Sequence, residues 1–215
     1  MTAAGDATAR RASEPTARLP REERRAQVLR AALEVFVASG YHTAGMDDIA
    51  ERAGVSKPVL YQHFPGKLDL YLALLDDGIA ALLESLGNAL NSTHENKQRV
   101  RNAVSAYFAF VDDPDGAYRL VFESDLPNEP AVRERLESAD SQCATMLSAV
   151  IAQDTGLSDA QAQLLAGGML GMAQIAARRW LRDPGGVSRS EAVDLIASLG
   201  WRGMGGFPLT HPPAP

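Results

Sequence analysis

The sequence predicts an all-α fold of about nine helices: a small three-helix head, then a larger helical body. Three observations carry this. Apolar residues recur three and four apart along most of the chain, and no segment shows convincing strand alternation. Residues Gly45 to Lys67 read as two short helices joined by a tight turn at Gly54, a helix-turn-helix. Two capping boxes, Ser158-Asp-Ala-Gln161 and Ser188-Arg-Ser-Glu191, announce the last two helices.

Taken in order, residues 1–18 are rich in Ala, Thr and Arg without periodicity and predict a disordered arm. A first helix spans 21–39 with Val28, Ala32, Val35 and Phe36 inward, and Gly40 stops it. Gly45 and Ser56 stand where helix N-caps belong. Ile49, Ala50 and Ala53 make the inner face of the next helix, and Leu60 and Phe64 that of the one after. A long helix from Lys67 to Asn91 shows Leu68, Leu72, Leu75, Ile79, Leu82, Leu83, Leu86 and Leu90 on one broad face, and can join head to body. Residues 92–96 form a polar turn. A fifth helix carries Val100, Val104, Tyr107, Phe108 and Val111 and ends before Pro114. A short helix holds Tyr118, Val121 and Phe122, and Pro127 to Pro130 connects it to a helix over 131–153. Asp183-Pro-Gly-Gly186 separates the two capped helices. Gly200 ends the last, and the Gly- and Pro-rich tail beyond Arg202 predicts no structure.

At 215 residues the chain has ample length for a real core. Its net charge of −6 hides a split. Residues 1–67 hold 10 Lys and Arg against 8 Asp and Glu, and residues 68–215 hold 11 against 19. The head therefore meets an anion by placement rather than by bulk charge, and the acidic body resists lying on DNA. Arg10, Arg11, Arg18, Arg21, Arg24 and Arg25 precede or open the first helix, where they suit phosphate or a minor groove. The lone Cys143 excludes an intrachain disulfide and a cysteine-based metal site, and reads as a small buried hydrophobe. No metal site is expected. No apolar run reaches the ~20 residues a bilayer requires, and no secretory leader is seen. The expectation is no membrane association and a cytoplasmic home.

The second short helix carries chemistry suited to a duplex. Ser56 can cap it and offer its hydroxyl or N–H to phosphate. Pro58 fits its first turn. Tyr61 and His63 are donors to phosphate oxygens, and Lys67 suits phosphate better than it suits the dipole of the helix it opens. Lys57 and Gln62 are candidate base readers, towards guanine and adenine, and Val59 can touch a thymine methyl.

Gly40-Tyr41, Met46, Ile49-Ala50, Ala53-Gly54-Val55-Ser56, Leu60-Tyr61, His63-Phe64 and Lys67 closely resemble the N-terminal domain of TetR-type bacterial regulators. The resemblance covers about residues 21–75. It implies a DNA-binding head over 19–66, an effector-binding and dimerisation domain over 67–200, and a flexible tail over 201–215. Such proteins often have threonines contacting phosphate near the start of the second helix. Ala44 and Gly45 stand there instead, leaving the Gly45 N–H at a helix N-terminus to serve. Arg18-Leu-Pro-Arg21, Gly40-Tyr-His42, the run to Tyr71, and the later Tyr118-Arg-Leu and Phe122-Glu123 further resemble the actinobacterial regulators of fatty-acid biosynthesis, the FasR group. That likeness implies an activator of fatty-acid synthase genes answering to long-chain acyl-CoA. The alternative is a TetR-type repressor of an efflux or catabolic operon sensing another small hydrophobic molecule.

A reader of this size is expected to bind a palindromic or pseudo-palindromic operator as a homodimer, since one short helix reads too few bases. Leu164, Gly167, Gly168, Gly171 and Ile175 form the candidate dimer face; an intramolecular neighbour or a ligand is the competing reason for those glycines. Phe108, Val111, Phe122, Met146, Leu147, Val150, Met169, Met172 and Trp180 could line an apolar effector channel, although each suits plain core as well. Arg119, Arg178, Arg179 and Arg182 are candidates for a rim holding CoA phosphates. No cofactor and no enzyme activity are expected: His42, His63, His94 and His211 are scattered, and neither HExxH nor GxSxG occurs. Effector binding should shift the angle of helix 67–91 and move two recognition helices off the ~34 Å of one DNA turn.

Overall fold

The computed structural model describes residues 20–113, 126 and 128–204. Among them are eight helices and no strand: α1 (Arg21–Thr43), α2 (Met46–Ala53), α3 (Lys57–His63), α4 (Lys67–Asn91), α5 (Asn96–Val111), α6 (Pro130–Thr155), α7 (Asp159–Arg182) and α8 (Arg189–Met204). The short helix expected around Tyr118 to Phe122 lies outside the described residues, as do the expected arm and most of the tail.

Helix ends follow local chemistry. Gly40 does break α1, with φ 73° and ψ 163°, but helical turns resume after it to Thr43. Gly54 ends α2 at φ 63° and ψ 34°, a left-handed conformation that favours glycine. Its N–H bonds Glu51 O, while Val55 N–H bonds Ala50 O at 3.0 Å. Both capping boxes form: Gln161 Oε1 accepts from Ser158 N–H and Glu191 Oε2 from Ser188 N–H, each at 3.0 Å. The bonds from Ser188 hold the Glu191 carboxyl below its usual pKa. α8 runs past Gly200 to Met204; Gly200 is buried, and a Cβ there would lie 3.1 Å from Met172 Cε.

α4 ties the two parts together. Its first turns pack on α1, and its remainder packs on α5 and α6. Its buried face is the predicted one at Leu75, Ile79, Leu82, Leu86 and Leu90, but it is rotated near the head. Leu70, Tyr71, Leu74, Leu75, Gly78, Ile79, Leu82 and Leu86 are buried, whereas Leu68, Leu72 and Leu83 are only half-buried. Near the head the face must turn towards α1, where Tyr71 meets Phe36 edge-on at 5.5 Å and Tyr41 at 5.2 Å. In the body α6 packs along α7, and α5 is covered by α4, α7 and α8. One contiguous core runs from Val28 in α1 to Ala197 in α8. Head and body therefore share apolar packing rather than a linker.

Candidate DNA-reading surface and effector cavity

α2 and α3 meet through the Gly54 turn with Ile49, Ala50, Ala53, Leu60 and Phe64 buried behind them. Gln27 in α1 fastens the pair, its Nε2 donating to Ala53 O at 2.8 Å. The Arg25 guanidinium lies 5.1 Å from the centre of the Phe64 ring. With its back fixed in this way, α3 presents Lys57, Pro58, Tyr61 and Gln62 to solvent. Val59 and His63 are half-buried. They line a shallow basin with Ser56, Gln62 and two arginines of α1, Arg21 and Arg24. Those arginines stand beside the α3 face and could meet phosphate there.

Four details differ from expectation. Ser56 sits at the α3 N-cap, but its side chain makes no capping bond. Lys57 Nζ lies 2.7 Å from Asp47 Oδ2, and that bond holds its pKa above the usual value. Both groups are well exposed, so solvent screens the pair and Lys57 can give it up for a base at little cost. The Gly45 N–H is not open to phosphate, because the Asp48 carboxylate accepts it at 3.1 Å. Asp47 and Asp48 together fill the first turn of α2 with negative charge, which suits the helix dipole and repels another anion. Lys67 is likewise committed. Its ammonium donates to Tyr41 O at 2.7 Å, Ala44 O at 2.9 Å and His42 O at 3.4 Å, and lies 4.5 Å from the centre of the Tyr41 ring. An ammonium has three protons, and all three are engaged. Lys67 clamps the start of α4 to the end of α1.

The body holds a cavity of about 70 Å³ between α4, α5, α6 and α7, with Trp201 of α8 at its edge. Leu147, Val150 and Met169 line it, joined by Leu86, Val104, Tyr107 and Leu170. The other expected effector residues lie elsewhere. Phe108 and Trp180 stand 5.8 Å apart on an open groove at the α7–α8 corner. Val111 is buried core. Met146 packs against Gly87 of α4, and Met172 against Gly200 of α8. Phe122 and Arg119 fall outside the described residues. Arg179 pairs with Asp183 at 3.5 Å, Arg178 donates to Gln174 O within α7, and Arg182 is exposed; none of the three lines the cavity. Cys143 is buried, and desolvation pushes its thiol up to about 11.

The α7 face carries Leu164, 78% exposed, and Ile175, 67% exposed, with Gly167 and Gly168 exposed and Gly171 half-buried between them. A Cβ at any of these three glycines would meet nothing within 4 Å. No neighbour among the described residues requires them to be glycine. Leu195 and Leu199 of α8 are exposed as well.

Residues 28–74 match the family described as bacterial regulatory proteins, tetR family. Over 194 residues the chain is 45% identical to the HTH-type transcriptional activator FasR of Mycolicibacterium smegmatis, covering 90% of this chain and 89% of that protein. The chain belongs to the tetR family. Because the likeness to FasR spans head and body, it is a FasR-type regulator, and α2 and α3 form its N-terminal helix-turn-helix. A TetR-like transcriptional regulator from Rhodococcus sp. RHA1 superposes with a TM-score of 0.71 at 26% identity, covering 88% of this chain and all of that one, 100%. FadR from Bacillus subtilis, solved in complex with stearoyl-CoA, shares the fold with a TM-score of 0.68 at 18% identity, over 81% of this chain and 96% of that one.

Sequence reasoning missed the polar part of this tetR-family regulator's cavity. Asn96, Arg99, Asp154 and Thr155 line it, and Arg99 Nη1 donates to Asp154 Oδ2 at 2.7 Å. The partners are 55 residues apart, and a charged residue on an amphipathic helix ordinarily signals its solvated face. The apolar run Val100, Val104 and Tyr107 next to Arg99 was the only available signal.

Proposed function

We propose that this FasR-type regulator controls fatty-acid biosynthesis genes as an activator, bound as a homodimer to a palindromic or pseudo-palindromic operator, and that long-chain acyl-CoA releases it. The observation that carries the reading is an apolar cavity embedded in the same core that supports α3. FasR is itself named a transcriptional activator, and the FadR structure holds stearoyl-CoA. The first supports the sign of regulation, and the second the choice of effector.

The mechanism follows from size. A cavity of about 70 Å³ is well short of the roughly 300–1,000 Å³ of a ligand pocket. A long acyl chain enters by parting the helices around it. α4 forms one wall of the cavity and also packs on α1, so displaced packing reaches the head through α4. The ligand acts to the extent that it binds the parted state more tightly than the closed one. Two recognition helices then leave the ~34 Å spacing of one DNA turn. The dimer forms through the open α7–α8 face, with Leu164, Ile175, Leu195 and Leu199 around the glycines.

A gel shift on the promoter of the fatty-acid synthase genes tests this. Palmitoyl-CoA should dissolve the complex, and free CoA at equal concentration should leave it intact. A complex indifferent to palmitoyl-CoA but dissolved by another small hydrophobic molecule favours an efflux or catabolic regulator instead.

A further inference from the structure

We infer that the Arg99–Asp154 ion pair is the head-group end of the effector cavity, and that an acyl ligand docks by taking Arg99 from Asp154. This rests on the effector reading above and specifies how the ligand lies.

The cavity is lopsided. Along α5 its lining extends from Asn96 and Arg99 to Tyr107, a rise of about 16 Å from the first to the last. Charge gathers at one end of that slot, and the wall between Val100 and Val104 is apolar. The pair is nearly sealed, with side chains 13% and 15% exposed. Arg99 also donates to Asn96 Oδ1 at 3.0 Å and to Thr93 O at 3.2 Å, which binds it to the α4–α5 turn. The charged end is thus the end farthest along α4 from the head.

Stability does not account for the pair. Asp154 lies in the last turn of α6, where the helix dipole opposes a carboxylate. A near-buried ion pair generally contributes no more than a well-packed apolar pair of the same size. What this pair does is join α5 to α6 across the cavity with one charge-assisted bond. An acyl carbonyl oxygen, in a thioester or a free carboxylate, is an acceptor that can replace Asp154 on the guanidinium. Its chain then runs towards Tyr107, and α5 and α6 are released from each other at the moment of binding.

The test uses the full chain, a labelled duplex from the fatty-acid synthase promoter, and palmitoyl-CoA or palmitate as the releasing ligand. Asp154→Asn frees Arg99 and should release DNA at about tenfold lower ligand concentration, the value of one hydrogen bond to a charged group. The double variant Arg99→Met/Asp154→Leu replaces the pair with apolar groups and should require about tenfold more. Arg99→Met alone should likewise require more ligand, and opposite signs in the two single variants support the inference, since a purely structural pair would loosen, and so sensitise, both single variants alike. Equal shifts, or none, overturn it. Should Asp154→Asn fail to fold, unchanged sensitivity in the double variant overturns it alone. A wild-type response to palmitoyl-CoA with no split between variants sinks only the head-group assignment, whereas no response of the wild type to either ligand sinks the effector reading as well. The palmitate arm decides between a free carboxylate and a thioester.

Discussion

Lys67 shows how a single side chain can carry either of two readings. At the sequence level a lysine opening a helix looks misplaced against the dipole, which pointed to phosphate. In the fold the carbonyls of Tyr41, His42 and Ala44 converge on it. Nothing in the sequence announced that convergence, because it depends on Gly40 breaking α1 and turning the chain back. The consequence is measurable. Lys67→Ala should lower unfolding stability by about 1.5–3 kcal/mol, the range for hydrogen bonds to a charged group, in urea titration. The slope of log K for DNA against log salt should stay where it is. A slope that falls by about 1 would return Lys67 to the phosphate backbone. Gly45 follows the same logic: its N–H was legible as a helix N-terminus, but the nearby Asp48 carboxylate takes it first.

Helices whose signals are local were readable from the chain. The Gly54 turn, both capping boxes and the inward Leu60 and Phe64 depend on residues within a few positions of one another. The face of α4 was not readable in full, because two different partners bury it at its two ends. Periodicity assumes one partner. The cavity's charged end was hidden for the related reason that it joins α5 to α6. The glycines of α7 could be singled out from sequence, but their purpose could not. Their open surroundings in the fold make a specific prediction possible. Gly168→Leu adds a side chain that meets nothing in its own chain, and removing a helical glycine should stabilise the fold by roughly 0.5–1 kcal/mol. Sedimentation should nevertheless show the dimer weakened. A variant that remains as dimeric as the wild type removes the glycine face from the interface.

At the scale of the molecule, a mildly basic head and an acidic body share one core. That arrangement gives the proposed effector a route to the DNA-binding head: α4 lines the cavity and also packs on α1, where Tyr41 meets Tyr71. It also leaves recognition to placement. α3 is only seven residues long, and its exposed face is short. Sequence choice therefore rests on very few side chains, with Gln62 the exposed amide suited to adenine.

The most direct measurement is fluorescence anisotropy of the full chain on two duplexes, one from the fatty-acid synthase promoter and one of the same composition scrambled. The wild type should prefer the promoter. Gln62→Ala should lose about 1–3 kcal/mol of that preference while binding the scrambled duplex as before. A wild type blind to the difference, or a Gln62→Ala variant that keeps the full preference, would contradict the placing of α3 in the groove.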